Sequence, residues 1–215
     1  MGRMRSRLRL VLEWLMPLQG LGPEVEGDVA PVELPGPWSI GIALGMHSDG
    51  GADSSARTEI GELVAQFKYG GERRLVRRLA PALAHALRRH LEDGHIDAVT
   101  HVPTSRRSSY EPACELAIAV ARALGSRSLP RLLRPIRAIQ PQKDLTTLWE
   151  KRQNVEGAFA VRRPGLVRGR RVLLVDDIYD SGATLAEAWR ALREAGSEEI
   201  VVAVLTRTRY LAAQR

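Results

Sequence analysis

The stretch Arg171-Val172-Leu173-Leu174-Val175-Asp176-Asp177-Ile178-Tyr179-Asp180-Ser181-Gly182-Ala183-Thr184 decides the fold. The apolar run 172–175 reads as a buried strand that delivers two acids, Asp176 and Asp177, to a sheet edge. A short loop carrying a glycine follows. Residues 183–195 then take helical spacing, and Gly196 ends them. A buried strand turning directly into a helix is the repeating unit of a parallel α/β sheet.

The same alternation appears when the pattern is followed outward. Ile40, Ile42 and Leu44 alternate with small residues in 38–46, which predicts a strand. Residues 47–56 are a polar, glycine-rich loop. Ile60, Leu63, Val64 and Phe67 predict a helix over 58–69, stopped by Gly70 and Gly71. Leu75, Leu79, Leu83 and Leu87 predict another over 72–91, with Pro81 as a kink or break. A strand is predicted at 96–102, a helix at 111–124 with Pro112 in its first turn, and a last strand at 200–205. Ligands of such sheets sit beyond the carboxyl ends of the strands.

The chain has 215 residues, a net charge of +7 and one cysteine, Cys114. That length suits one α/β domain, or one domain with a small appendage. The appendage is expected at 1–37, a basic helix followed by a Gly/Pro-rich connection, with the main domain at 38–215. A lone cysteine excludes an intramolecular disulfide framework and a four-cysteine zinc site. The apolar stretch near the N-terminus is short and broken by Glu13, so neither a membrane span nor a signal peptide is expected, and a cytoplasmic location is. Three of the 32 basic residues are lysines, Lys68, Lys143 and Lys151, and the rest are arginines. Arginine forks suit phosphates, so the charge is compatible with a phosphorylated small molecule, with nucleic acid, or with compositional bias alone. The arginines at 3, 5, 7 and 9 remain open between DNA contact and a solvated run.

The loop Asp180, Ser181, Gly182, Ala183 and Thr184 suits a phosphate group. Gly182 permits close backbone approach, Ser181 and Thr184 offer hydroxyls, and the helix start offers unpaired N–H groups. The neighbouring Asp176 and Asp177 can accept hydrogen bonds from vicinal hydroxyls or help hold Mg²⁺ through water. Phosphate on one side and a diol on the other describe a ribose 5-phosphate. An ATPase acidic strand is disfavoured because the chain has no Gly-Lys pair. A receiver domain is disfavoured because its acids lie near the start, whereas only 38 residues follow Asp177. The plainest alternative is a helix cap beside solvated acids.

The 171–184 string resembles the PRPP-binding motif of type I phosphoribosyltransferases. The segment from Leu132 through Pro141-Gln142-Lys143 to Asn154-Val155-Glu156-Gly157-Ala158-Phe159, with Phe67-Lys68-Tyr69-Gly70-Gly71-Glu72 upstream, is similar to the ComF family. The resemblance implies an α/β, type I phosphoribosyltransferase fold, with a central, mostly parallel sheet flanked by helices. It implies PRPP or a nucleotide 5′-phosphate as ligand, with Mg²⁺ at Asp176 and Asp177. The 180–184 loop would hold the 5′-phosphate. Thr104, Ser105, Arg106 and Arg107, after the 96–102 strand, form the expected pyrophosphate loop. Residues 137–154, beginning at Arg137, form an expected mobile loop over the site, with Gln140, Gln142, Lys143, Lys151 and Arg152 as donors to the leaving pyrophosphate. The family's cysteine-rich zinc segment and its Asn-Gln stretch after the pyrophosphate loop are missing from this sequence. The implied roles are phosphoribosyl transfer to a nitrogen acceptor, or nucleotide and single-stranded-DNA binding without turnover in DNA uptake, alongside DNA-processing proteins.

Overall fold

In the computed structural model the residues described are 31–49, 56–91, 95–104 and 110–209. The expected basic helix near the N-terminus lies outside them. Eight strands and five α-helices are found among them. The strands are β1 (Val32–Glu33), β2 (Ile40–Met46), β3 (Ala98–His101), β4 (Arg127–Ser128), β5 (Leu133–Pro135), β6 (Phe159–Val161), β7 (Arg171–Tyr179) and β8 (Glu199–Arg207). The helices are α1 (Glu59–Lys68), α2 (Val76–His90), α3 (Pro112–Leu124), α4 (Leu148–Val155) and α5 (Ala183–Glu194).

Six strands form one sheet in the order β1-β2-β8-β7-β3-β4. Strands β2, β8, β7, β3 and β4 run parallel, and β1 joins the edge antiparallel. The mostly parallel sheet and flanking helices are those of a type I phosphoribosyltransferase fold. Ahead of Trp38, Val32 and Glu33 pair with Ala43 and Ile42, and Leu34 is buried beside them.

A parallel sheet has two faces to cover. On one, α1, α2 and α3 set Phe67, Leu83 and Leu116 against Leu44, Leu173 and Val201. On the other, α5 sets Leu185 and Leu192 against Val172, Leu174 and Val202. The second face is extended by the antiparallel pair β5–β6, whose Leu133 and Phe159 join the same cluster. Neither hairpin strand is long enough to show a period in sequence. Pro81 lies inside α2 without breaking it; the predicted helix instead divides at its start, where a 3₁₀ turn (Arg73–Leu75) precedes Val76. Strand β7 runs four residues past the predicted apolar core, so Asp176 still pairs with Val204 and Ile178 with Thr206.

The expected 137–154 loop differs most. It contains a 3₁₀ turn (Gln142–Asp144) and then α4, which starts in a capping box: Thr147 accepts from the Glu150 N–H and the Glu150 carboxylate accepts from the Thr147 N–H. No helix among the described residues is long and apolar enough to cross a membrane.

Candidate functional site

The carboxyl ends of β2, β3, β7 and β8 open into a cavity of about 690 Å³. Its walls include His47, Lys68, Thr104, Gln142, the run Asp176–Gly182, and Thr184. Parallel strands leave their binding crevice here.

Asp177 is 6% exposed, and its Oδ1 accepts a hydrogen bond from Lys68 Nζ at 2.7 Å. Its own N–H donates to Asp176 Oδ1 at 2.8 Å. Two carboxylates thus share a little-solvated corner with one ammonium. Burial, and then the charge of Asp177, push Asp176 up to about 7. Burial opposes the Lys68 ammonium, but Asp177 and Asp176 outweigh it and raise its pKa above the ordinary lysine value. His47 donates to or accepts from Thr206 Oγ1 at 2.9 Å, and its pKa is lowered by burial and then by Arg57 and Lys68.

The loop after β7 is shaped by Gly182, whose φ of +75° favours glycine. A Cβ at Gly182 would also stand 2.5 Å from the Tyr179 hydroxyl. Tyr179 is fixed from below: its hydroxyl donates to the Pro35 carbonyl at 3.0 Å, and its ring meets Trp38 edge-on. The tight turn places the start of the twelve-residue α5 against the cavity. The first amides of a helix lack intrahelical acceptors, and the dipole makes this end positive. Ser181 Oγ accepts from the Ala183 N–H at 3.4 Å, and Thr184 lines the cavity.

Asp180 differs from its expected part in this loop. Its carboxylate accepts from Lys151 Nζ at 2.5 Å and from Thr208 Oγ1 at 3.1 Å. A carboxylate repels a phosphate, so its side chain acts as an anchor that holds a cation beside the loop. Lys151 is 7% exposed and arrives from α4, on the side of the 180–184 loop. Gln142 donates to the Lys151 carbonyl at 3.3 Å and borders the cavity, and its Oε1 is buried without a partner. Arg137 is exposed and caps the end of α4 through the Gln153 and Glu156 carbonyls, a structural task. The Asn154 side chain accepts from the Gln140 N–H and donates to the Gln140 carbonyl, each at 2.9 Å, tying the ends of the segment together. Arg152 is exposed, and Lys143 places its backbone in the 3₁₀ turn. Thr104 lines the cavity, while Ser105, Arg106 and Arg107 lie outside the described residues.

Sequence reasoning missed the roles of Lys68 and Lys151 at the acid pair and the loop. Their partners lie 109 and 29 residues away, beyond any local pattern. It also missed a cluster of His101, Glu111 and Cys114, whose possible ligand atoms all lie within 4.8 Å. The His101 ring is held by the Val102 and Pro130 carbonyls at 2.9 and 2.5 Å, and burial raises the Cys114 thiol pKa, which keeps the thiol protonated.

Residues 107–212 match the phosphoribosyl transferase domain family. With the sheet order and the acid-pair loop, this places the chain in the type I phosphoribosyltransferase family. Within that family it is ComF-like: it is 31% identical over 153 residues to Competence protein F of Haemophilus influenzae, covering 67% of this chain and 66% of that protein. It is also 41% identical over 58 residues to an adenine phosphoribosyltransferase of Nocardia farcinica, covering 26% of this chain and 30% of that one. Among solved structures, an adenine phosphoribosyltransferase superposes with a TM-score of 0.45 at 15% identity, over 66% of this chain and 75% of that one.

Proposed function

We propose that the cavity binds PRPP, or a nucleotide through its 5′-phosphate, and that the chain transfers the phosphoribosyl group to a nitrogen acceptor. One observation carries this: the acid pair at the end of β7 and the glycine turn that starts α5 border the same cavity. The α5 amides and the Ser181 and Thr184 hydroxyls suit the 5′-phosphate, with Lys151 balancing the charge of Asp180 beside it. Asp176 and Asp177 suit the ribose hydroxyls as acceptors. Thr104, Ser105, Arg106 and Arg107 remain the proposed pyrophosphate loop. Gln142, Lys143, Lys151 and Arg152 belong to the segment proposed to close over the site.

Paired, poorly solvated carboxylates also suit Mg²⁺, and the raised pKa of Asp176 marks a place where added positive charge is favourable. When bound, the metal would neutralise charge on the leaving pyrophosphate. In the transfer, the acceptor nitrogen forms a bond to the anomeric carbon as the bond from that carbon to the pyrophosphate oxygen breaks. The chain's share is positioning, charge stabilisation and exclusion of water.

A second reading, binding of nucleotide and single-stranded DNA without turnover in DNA uptake, draws on the name of the Haemophilus relative. It also draws on Tyr69, 72% exposed on the cavity wall and available for base stacking. Incubation of the chain with PRPP, Mg²⁺ and a panel of bases and amines, with pyrophosphate release as readout, separates the two. Release that vanishes in Asp177→Asn supports transfer. Ligand binding without release, together with salt-sensitive binding of single-stranded DNA, supports the second reading.

A further inference from the structure

His101 closes β3 and is 5% exposed, with a carbonyl oxygen at each ring nitrogen: that of Val102 is 2.9 Å from Nδ1 and that of Pro130 is 2.5 Å from Nε2. A neutral imidazole has one N–H and one lone pair, so one of these contacts sets a lone pair against a carbonyl oxygen. A buried nitrogen left without a donor is a place for a cation. Two further ligand groups stand beside it. Glu111 is the N-cap residue of α3, yet its side chain caps no helix amide and makes no hydrogen bond or ion pair among the described residues. Cys114, half-buried, follows three residues later on the same helix face. The possible ligand atoms of all three lie within 4.8 Å of one another. Ligands on a tetrahedral zinc stand about 3.3–3.8 Å apart, so a closure of about 1 Å brings the three to one ion.

We propose that His101, Glu111 and Cys114 form a binding site for Zn²⁺, which fastens the end of β3 to the start of α3. The donor set selects the metal, because imidazole and thiolate favour zinc over the hard cations Mg²⁺ and Ca²⁺. A thiolate and a carboxylate balance the two positive charges of the ion, and a water completes four-coordination. The thiol is protonated in the metal-free chain, so forming the Zn–S bond releases that proton to solvent. His101 and Glu111 bracket residues 102–110, which include the proposed pyrophosphate loop, and the ion ties the two ends of that segment together. The site shares no residue with the acid pair, and the proposal stands whatever ligand the cavity takes.

The test is titration of the EDTA-treated, desalted full chain with Co²⁺, read by absorption, for the wild type, Cys114→Ser, Glu111→Gln and Asp177→Asn. The wild type is expected to bind one Co²⁺ with a thiolate-to-metal charge-transfer band in the near ultraviolet. Zn²⁺ should displace the cobalt, and Mg²⁺ in large excess should not. Cys114→Ser is expected to lose the band, and Glu111→Gln to keep it with binding weaker by about tenfold or more. Asp177→Asn, which alters the acid pair alone, is expected to match the wild type. His101 is read without substitution, since Zn²⁺ should shift one of its ring nitrogens in ¹⁵N spectra of the full chain. A wild type without the band overturns the proposal, as does a His101 ring that Zn²⁺ leaves unchanged. A band that Cys114→Ser removes but Glu111→Gln leaves at full affinity marks a lone thiol and overturns it too. Loss of the band in Asp177→Asn overturns it by placing the metal at the acid pair.

Discussion

Replacing Gly182 by alanine tests whether the turn before α5 is built as described. Two independent strains are expected. An L-residue at φ +75° costs about 1–2 kcal/mol. The new methyl also stands 2.5 Å from the Tyr179 hydroxyl, which cannot move without leaving the Pro35 carbonyl and the edge of Trp38. Losing that hydrogen bond costs about 1 kcal/mol and the ring contact about 0.5–1.5 kcal/mol. Alanine restricts the unfolded chain and returns about 0.4–1 kcal/mol. The net expected loss is about 2–3 kcal/mol. Gly157 is a matched control, because its φ is +65° but nothing lies within 4 Å of a Cβ there. Gly157→Ala bears only the backbone strain, with a net loss of about 1 kcal/mol or less. Urea unfolding of the wild type and both variants measures the difference. Equal losses at the two positions would refute the close approach of Tyr179 to the turn.

Other outcomes follow from the acids and the lysines. Asp176 has an ordinary pKa of 3.8 and a native value raised to about 7, first by burial and then by Asp177. Its contribution to stability is therefore full below pH about 4 and is lost as pH rises through about 7. Asp176→Asn should flatten the pH dependence of unfolding over that window, and an unchanged slope would count against it. Lys151→Met leaves the Asp180 carboxylate uncompensated beside the 180–184 loop. It should weaken ribose 5-phosphate binding by about tenfold while changing pyrophosphate binding less, as read by calorimetry. Thr147→Ala removes the capping box of α4 and should destabilise that helix by about 1 kcal/mol, seen as faster amide exchange confined to the 148–155 segment.

Most of the sheet was legible because its strands and helices carry clean periods. Ile40, Ile42 and Leu44 alternate, and Leu79, Leu83 and Leu87 repeat at helical spacing. The acid pair and the glycine turn were legible because all their parts lie within nine residues of one another. What failed has definite causes. Strands β1 and β4 have two residues each, and β5 and β6 three, too short to show alternation. Helix α4 is mostly polar and leaves Trp149 70% exposed, so no apolar stripe announced it; the Thr147-to-Glu150 spacing was the available signal. Lys151 was expected to face pyrophosphate from a loop, yet α4 turns it onto Asp180. The long-range pairs of Lys68 and Lys151 depend on how layers stack, which no local pattern records.

The central claim is that Asp177 and the 180–184 loop form one phosphoribosyl site. It is tested most directly by titrating PRPP with Mg²⁺ into the wild type and into Asp177→Asn, each shown folded by circular dichroism. The wild type should bind, and Asp177→Asn should bind about tenfold or more weakly, since a buried carboxylate acceptor is lost from the ribose. Equal affinity in the two proteins, or no binding by the wild type, would contradict it.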